Sequence, residues 1–262
     1  MLPGAAGKVI LEMIDFHTHI LPGIDDGAKD VSVSAAMLEM EKEQGVNEIV
    51  LTPHYYGKFY SPTDFVRRRA AAYEKLLAVA AGEFFFTLGA EIHFSDTLSV
   101  NAECRKLAIS DTRYALVELP FGEKWSGSLF TRLRYFMDET ELTPVIAHIC
   151  RYPQLRKNPE ALLRLAEMGC LLQVNASAFC DKDSSGFAFA AMKHNLVHCL
   201  GSDCHNVTNR APDLKRAEEA IAQAGYADRL EEIGRIMKCV TEDRPVKCAA
   251  ATPVKKFFNR YR

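Results

Sequence analysis

The 262-residue sequence predicts an α/β fold in which seven parallel strands form a β/α barrel. Short runs of β-branched and apolar residues alternate with longer amphipathic segments, and this alternation implies strands joined by helical crossovers. Polar residues also recur toward the end of one predicted strand after another, as they do in barrel active sites. No low-complexity tract, short-period repeat or Pro/Gly linker divides the chain. We therefore predict a single domain over residues 1–262.

The predicted elements follow from local pattern. Apolar or β-branched runs predict strands at 13–20, 47–55, 84–94, 114–120, 143–149, 170–177 and 197–205. Amphipathic segments between them predict helices at 31–44, 62–81, 97–107, 127–140, 159–168 and 186–195, and two more follow the last strand at 211–224 and 227–238. Gly45, Gly82 and Gly169 lie where three of these helices should end, because glycine is the usual residue after a helix C-terminus.

Composition excludes several classes of protein. The 32 Lys and Arg nearly balance the 34 Asp and Glu, so we expect no nucleic-acid partner and no strong attraction to an anionic membrane. No apolar run is long enough for a membrane span, and 1–12 lacks the apolar core of a secretory signal. The eight cysteines contain no C-x-x-C motif, which predicts free thiols in a reducing cytoplasm. The sequence does not determine the oligomeric state.

Both ends of the chain are expected to lie outside the barrel. We interpret 1–12 as a short extension, with Met13 as a second candidate start. The C-terminal part, 239–262, is a basic tail. It is expected either to be solvated or to dock an acidic kinase tail or a membrane surface, although a few basic residues attract an anionic membrane only weakly.

Histidines and carboxylates toward the C-terminal ends of the strands carry the functional signal. Within MIDFHTHI, His17 and His19 are two residues apart and so share a face of the strand. Asp203 and His205 have the same spacing at the end of the last strand. Eight such residues occur at six strand ends: His17, His19, His54, Glu91, Glu118, His148, Asp203 and His205. Because these ends converge on one face of a parallel barrel, we expect the side chains to meet.

This convergence predicts a polynuclear metal centre. A single histidine in a strand is more often a hydrogen-bonded core residue, but eight ionisable groups cannot be buried together without a compensating charge. Imidazole and carboxylate ligands together favour Mn, Fe or Zn over a thiolate-type zinc site. Asp26, from the acidic pair after the first strand, brings the candidates to nine, enough for two or three ions. Asp15 shares the face of His17 and is expected to orient a ligand histidine.

The motifs together resemble the PHP (polymerase and histidinol phosphatase) superfamily. The resemblance runs from about Met13 to Arg210 and rests on DFHTH, TPH, GAEI, ALVEL, VIAH and GSDCH, in that order. Within the superfamily, the chain is similar in particular to the bacterial CpsB/YwqE-type protein-tyrosine phosphatases, through IDDGAKD, GAEIHF, RYALVELP, TPVIAHICRY, QVNAS and GSDCHN. The resemblance implies a distorted (β/α)7 barrel of the TIM-like type.

The resemblance also implies an activity and a set of site residues. Enzymes of this type are manganese-dependent and act on the autophosphorylated tyrosine tail of bacterial kinases that control capsule and exopolysaccharide export. By resemblance, the nine candidates match the metal positions, with Asp26 the ligand and Asp25 a turn residue. Arg151 and Arg210 match two arginines that hold the substrate phosphate. The expected cofactor is two or three Mn²⁺ ions, with Fe or Zn as alternatives. The expected reaction is attack by a metal-bound hydroxide, with His205 near the leaving group.

Other functions remain open. Cys204 and Arg210 fit the C-x5-R pattern of cysteine-based tyrosine phosphatases, but CHNVTNR lacks glycines to wrap a phosphate and the pattern leaves the strand-end ligands unexplained. A small-molecule phosphatase of the same superfamily, such as histidinol-phosphate phosphatase, is the main alternative. The charge balance disfavours a nuclease, and the full ligand set disfavours a scaffold without activity.

Further residues have open roles at this point. His93 is an additional histidine on the face of Glu91, where it either touches the site or lines its rim. His194 and His198 are expected to be surface or capping groups. Five loop aromatics could border a phosphotyrosine ring or simply pack: Tyr55, Tyr56, Phe121, Trp125 and Tyr152.

Overall fold

The computed structural model describes residues 13–80, 82–122, 125–257 and 260–261. The predicted extension 1–12 and residues 258, 259 and 262 of the predicted tail lie outside the described residues. The strands are β1 (Met13–Thr18), β2 (Val46–Leu51), β3 (His54–Tyr55), β4 (Phe85–Leu88), β5 (Glu91–His93), β6 (Tyr114–Glu118), β7 (Thr143–Ile146), β8 (Leu171–Asn175), β9 (Cys199–Gly201), β10 (Lys256–Phe257) and β11 (Arg260–Tyr261). The helices are α1 (Val31–Gln44), α2 (Pro62–Leu77), α3 (Gly127–Thr140), α4 (Pro153–Lys157), α5 (Glu160–Glu167), α6 (Ser185–Lys193), α7 (Leu214–Gln223) and α8 (Ala227–Thr241).

The first nine strands form a curled parallel arrangement. They pair in the orders β1-β2-β4 and β3-β5-β6-β7-β8-β9, and every pair is parallel. After β9, the N–H of Asp203 donates to the carbonyl of His17 at 2.8 Å, and Thr18 forms a parallel bridge with Cys204. The mixed α/β fold with a parallel sheet is therefore confirmed, while the complete seven-stranded barrel stays a prediction.

Two predicted strands are each broken into two short ones. The segment 47–55 divides into β2 and β3 around Pro53, whose nitrogen has no hydrogen to donate to a ladder. The segment 84–94 divides into β4 and β5 around Gly89. Backbone hydrogen bonds bridge the breaks, because the Gly89 N–H donates to Leu51 at 2.8 Å and the Glu91 N–H donates to Pro53 at 3.0 Å. The breaks place His54 and Glu91 on β3 and β5, at the carboxyl ends of these strand pairs.

Some of the predicted helix ends are confirmed by capping residues, and others are wrong. The side chain of Asp30 caps α1, and Gly45 ends it with φ 86°, a left-handed conformation that glycine adopts readily. α2 ends at Leu77, so Gly82 does not cap it as predicted. The helix predicted at 97–107 is also wrong, because only a 3-10 helix over Ala102–Leu107 forms there.

Two predictions about the periphery are wrong. His198 is not a surface group, because only 3% of it is exposed and its Nδ1 accepts the N–H of Leu172 at 2.9 Å. The C-terminal part is not simply a solvated tail, because the hydroxyl of Tyr261 and the ammonium of Lys256 both donate to the carbonyl of Arg156. This segment therefore packs against the body of the protein. Among the described residues, no helix combines the length and apolar character needed to span a membrane.

Candidate metal centre and active site

The structure brings all nine predicted ligands together at the carboxyl ends of the strands. Three overlapping groups have ligand atoms that lie within 4.8 Å of one another: His17, His19, Glu91 and Asp203; His19, Asp26, His54 and His205; and His54, Glu91 and Glu118. The ninth candidate, His148, joins them because its Nε2 lies 2.7 Å from Glu91 and 3.4 Å from Glu118. The strand-end placement inferred from the sequence therefore produces one continuous cluster.

The deepest of these groups is fully buried. The Nε2 atoms of His17 and His19 lie 3.1 Å apart, and each lies 3.3 Å from Oε2 of Glu91. Oδ1 of Asp203 lies 3.6 Å from His17 Nε2 and 3.4 Å from His19 Nε2. Two ring nitrogens this close to each other and to two carboxylates are a donor set that could hold a cation.

Neighbouring acceptors fix which nitrogen of each ring faces this site. Nδ1 of His19 lies 2.7 Å from Asp25, and Nδ1 of His17 lies 3.4 Å from the side-chain oxygen of Gln173. Nδ1 of His205 lies 2.9 Å from the carbonyl of Asp203. When each Nδ1–H donates to its acceptor, each Nε2 presents a lone pair to the cluster, which is the tautomer that a metal ligand needs.

Asp25 contributes more than the turn that was predicted for it. Only 4% of its side chain is exposed, and Oδ2 accepts both Nδ1–H of His19 and the backbone N–H of His54, at 2.7 and 2.9 Å. Oδ1 accepts the N–H of Gly27 at 3.0 Å. Burial alone would raise the pKa of Asp25, but His19 and these hydrogen bonds lower it, so the side chain is a carboxylate. The interpretation of Asp25 as a plain turn residue is therefore wrong.

Asp15 acts on the backbone instead of on a histidine ring. Its Oδ1 accepts the N–H of His17 at 3.2 Å and the N–H of Ser202 at 2.8 Å. The carboxylate therefore joins β1 to the segment that carries Asp203. Asp15 thus positions the segments that carry His17 and Asp203 relative to each other. It does not orient a histidine ring, as the sequence had predicted.

The backbone around the cluster is strained and tightly packed. His148 and Asp203 have φ values of 34° and 56°, a left-handed conformation that costs side-chain-bearing residues free energy and is concentrated at functional sites. β1 also lies against two glycines, since a Cβ on Gly201 would stand 2.6 Å from the Cβ of His17 and one on Gly27 would overlap the carbonyl of His19. The site therefore depends on close approach of the main chain from two sides.

The residues present fit divalent metal ions. Among the described residues, Oε2 of Glu91, Nδ1 of His54 and Nε2 of His205 are buried and make no hydrogen bond of good geometry, although Nδ1 of His54 lies 3.0 Å from that Oε2. Buried polar atoms normally form well-aligned hydrogen bonds. Burial raises the pKa of Glu91 and of Asp203, but His17 holds both well below the usual range, so both are ionised. Buried negative charge beside unpaired nitrogens is the environment that a borderline cation such as Mn, Fe or Zn stabilises.

The two predicted phosphate-binding arginines lie beside this cluster. Nη1 of Arg151 donates to Oδ2 of Asp203 at 3.0 Å, and Nη2 of Arg210 donates to Oδ1 at 2.8 Å. Their side chains remain 44% and 35% exposed and line a cavity of about 650 Å³ that reaches Asp203. Two permanently charged groups are thus held at the mouth of a metal site by one of its proposed ligands.

The loop aromatics divide into two kinds. Tyr55 and Tyr152 are buried and cannot border a substrate ring. Tyr56 and Phe121 are half-buried, with rings centred 5.3 Å from His54 and 5.6 Å from His148, respectively. Trp125 donates to the carbonyl of Pro120 and packs on Tyr152, 5.0 Å between ring centres. Tyr56 and Phe121 are therefore the aromatic residues available to an incoming ligand.

His93 and Cys204 stand at the edge of the cluster. Nδ1 of His93 lies 2.8 Å from Oε2 of Glu118, so this histidine contacts a proposed ligand directly. The thiol of Cys204 is fully buried, 3.8 Å from Glu41. Burial, Glu41 and Asp15 raise the pKa of this thiol well above its ordinary value, which disfavours a thiolate nucleophile at this position.

Comparison with known proteins gives a consistent result. The model of the family described as capsular polysaccharide synthesis, CpsB/CapC, matches residues 13–236. The chain is 31% identical over 231 residues to the tyrosine-protein phosphatase CpsB of Streptococcus pneumoniae, covering 84% of this chain and 94% of that protein. It is 33% identical over 205 residues to the tyrosine-protein phosphatase YwqE of Bacillus subtilis (strain 168), covering 76% and 79%.

A solved structure matches as well. Crystal structures of YwqE from Bacillus subtilis and CpsB from Streptococcus pneumoniae are described as those of unique metal-dependent tyrosine phosphatases. One of these chains superimposes with a TM-score of 0.82 at 27% identity, over 93% of the present chain and 100% of that chain. The likeness therefore extends through the strands that carry the cluster.

Proposed function

This chain belongs to the CpsB/CapC family, and on that premise we propose that it is a metal-dependent protein-tyrosine phosphatase. The observation that carries the proposal is the buried convergence of four ligand groups on one point, directly beside two arginines on a solvent-open cavity. The four groups are His17, His19, Glu91 and Asp203. Metal ligands next to fixed cations suit hydrolysis of a phosphate ester, whose negative charge both would neutralise.

We propose Mn²⁺ as the resident metal, with Fe or Zn as alternatives, and two or three ions in the cluster. The nine side chains that would hold them are His17, His19, Asp26, His54, Glu91, Glu118, His148, Asp203 and His205. Such ions, when bound, neutralise phosphate oxygens and lower the pKa of water. The oxygen and imidazole donor set supports this choice of metal because it contains no thiolate.

The chain's own residues would bind and orient the substrate. The guanidinium groups of Arg151 and Arg210 present planar N–H donors that match phosphate oxygens, and Asp203 fixes the orientation of both. Tyr56 and Phe121 are placed to border the phenolic ring. His205, with Nδ1 held by the Asp203 carbonyl, keeps its buried Nε2 directed into the cluster near the leaving oxygen.

Coarser features of the protein support further proposals. The hydrogen bond between Asp203 and His17, together with the bridge between Thr18 and Cys204, supports a distorted seven-stranded barrel and a single domain. Eight free cysteines support a reducing, cytoplasmic location. The family's link to capsular polysaccharide synthesis supports the tyrosine tail of a bacterial kinase of capsule or exopolysaccharide export as substrate.

The proposal is tested by hydrolysis assays on chelator-stripped protein with and without added Mn²⁺. We expect metal-dependent release of phosphate from a phosphotyrosine peptide, loss of that activity in His17→Ala, and retention of it in Cys204→Ala. Metal-independent activity that disappears in Cys204→Ala would establish a cysteine mechanism instead. A preference for histidinol phosphate over the peptide would agree with the proposed metal site but would show that the substrate is a small phosphate ester instead of phosphotyrosine.

A further inference from the structure

An exposed aromatic surface adjoins the metal cluster. Phe59 is 62% exposed and Tyr60 is 38% exposed, both unusually open for large apolar side chains. Phe59 lies 6.1 Å from the ring of Tyr56 and 6.4 Å from the ring of Tyr60. Tyr56 in turn lies 5.3 Å from the ring of His54, which is one of the proposed ligands. We call Tyr56, Phe59 and Tyr60 the aromatic surface. It begins at the active site and runs outward to solvent.

Two cations flank this surface, and neither has a carboxylate partner among the residues that the structure describes. The ammonium of Lys58 lies 4.6 Å from the centre of the Phe59 ring, and the guanidinium of Arg68 lies 4.5 Å from that of Tyr60. Within the described residues, neither cation is within ion-pair distance of an Asp or Glu, whereas the neighbouring Arg67 pairs with Asp64. Their positive charge is therefore available to an anionic partner that covers the rings.

The aromatic surface is held in place before any partner binds. The N–H of Phe59 donates to the carbonyl of Tyr56 at 3.0 Å, and the hydroxyl of Tyr55 donates to the carbonyl of Tyr60 at 3.0 Å. Gly57 lets the loop lie on Leu98, whose side chain would be only 3.2 Å from an added Cβ. Exposed aromatic side chains on a fixed loop lose little conformational entropy on binding, which favours recognition over simple packing.

We propose that the aromatic surface, with Lys58 and Arg68, binds the peptide that flanks the phosphotyrosine of the substrate. This rests on the proposed phosphatase function, and it names an acidic segment with apolar or aromatic side chains as the partner. The rings of Phe59 and Tyr60 bind those side chains, and the two cations bind the carboxylates, while Tyr56 borders the phosphotyrosine itself. The path from His54 to Phe59 corresponds to roughly three or four extended residues. The residues that are recognised therefore lie close to the phosphotyrosine in the substrate sequence.

The test compares one peptide with one small substrate on full-length, Mn²⁺-loaded protein. For an acidic, aromatic-flanked phosphotyrosine peptide, we expect Phe59→Ala/Tyr60→Ala to lower kcat/KM by about 10-fold, as loss of an aromatic anchor commonly does. For p-nitrophenyl phosphate, which has no peptide, we expect a change of less than about 2-fold. Phe85→Ala is the matched control, because Phe85 is 69% exposed at the start of β4, the end of the strand away from the cluster.

Reversal of charge at Lys58 and Arg68 tests whether the two cations bind the carboxylates of the peptide. Lys58→Glu/Arg68→Glu should weaken hydrolysis of the acidic peptide and improve that of a peptide with the same sequence but lysine flanks. Fluorescence anisotropy of both labelled peptides on chelator-stripped, full-length protein measures binding without turnover, so it tests the surface even if phosphotyrosine is not hydrolysed. Absence of hydrolysis by the unsubstituted protein would reject the phosphatase function alone.

Three outcomes would overturn the docking proposal. The first is equal binding and hydrolysis of the acidic peptide by the unsubstituted protein and by Phe59→Ala/Tyr60→Ala. The second is an equal loss on the peptide and on p-nitrophenyl phosphate, which indicates a structural role for the two rings. The third is a dimer in light scattering that the double substitution converts to monomer, which would identify a second copy of the chain as the occupant of the surface.

Discussion

Oδ2 of Asp25 lies 2.7 Å from Nδ1 of His19, and the same oxygen accepts the backbone N–H of His54. One buried carboxylate thus sets the tautomer of one proposed metal ligand and the position of another. A ligand histidine held in this way by a neighbouring carboxylate is oriented and made more basic.

Asp25→Asn should weaken metal binding by about 10- to 100-fold, the usual cost of removing such a partner. The amide has a single oxygen for the acceptor contacts, and its NH₂ group would face the N–H of Gly27 or His54. Competitive titration of Mn²⁺ with a chromophoric chelator measures the change. Asp30→Asn is the control, because Asp30 caps α1 and otherwise pairs only with the exposed Lys29 among the described residues, and asparagine caps a helix equally well. Unchanged affinity in Asp25→Asn would show that the contact is dispensable.

Metal removal should lower thermal stability as well as activity. The donor cluster around Glu91 and Asp203 is assembled only in the folded chain, so ions that bind it stabilise the folded state. At free Mn²⁺ of about 100 times Kd, we expect the melting temperature to rise by about 5–10 °C relative to protein in chelator. Differential scanning fluorimetry measures it, and His17→Ala should remove most of the shift. A metal-independent melting temperature would contradict a metal site in this cluster.

Arg151→Lys should separate substrate binding from metal binding. Lysine keeps the charge but not the planar set of donors, so kcat/KM for a phosphotyrosine peptide should fall by about 10-fold or more. Mn²⁺ affinity should change little, because Arg151 contacts Asp203 from the cavity side. Arg132→Lys is the control, since Arg132 pairs with Asp96 and Ser95. If Arg151→Lys loses metal affinity in proportion to activity, the arginine supports the metal site and not the phosphate.

His198 should make the stability of the fold depend on acid. Its burial and the nearby Arg229 lower its pKa from 6.5 to about 4, and its Nδ1 must stay unprotonated to accept the N–H of Leu172. At a pH between these two pKa values, His198 is protonated in the unfolded chain and neutral in the folded chain. Stability is therefore present above pH 6.5 and lost as pH falls toward 4, by up to about 3 kcal/mol.

Urea denaturation at pH 7 and pH 5 measures this loss, with His198→Gln as the comparison. Glutamine can accept the same N–H but does not titrate, so the variant should lose less stability than the unsubstituted protein over that pH interval. An identical loss in both proteins would place the acid-sensitive group elsewhere.

The polar residues at six predicted strand ends were enough to predict the cluster, because strand periodicity is visible in local sequence and the ends of parallel strands converge in a β/α fold. The role of Asp25 could not be predicted in this way, because its contact with His19 depends on how the turn after β1 folds back over the strand. His198 was misplaced for a similar reason, because no spacing distinguishes a buried histidine at the start of a strand from an exposed one. Pro53 indicates a break between β2 and β3, but the apolar residues on both sides of it led to the prediction of one continuous strand.

The close approach of Gly27 and Gly201 to β1 has a consequence for how this protein can diverge. A methyl group at Gly201 would collide with His17, and one at Gly27 would collide with His19, so either substitution would displace a ligand candidate. We therefore expect divergence at these two positions to be as restricted as at the histidines they accommodate, although a glycine offers no ligand atom of its own.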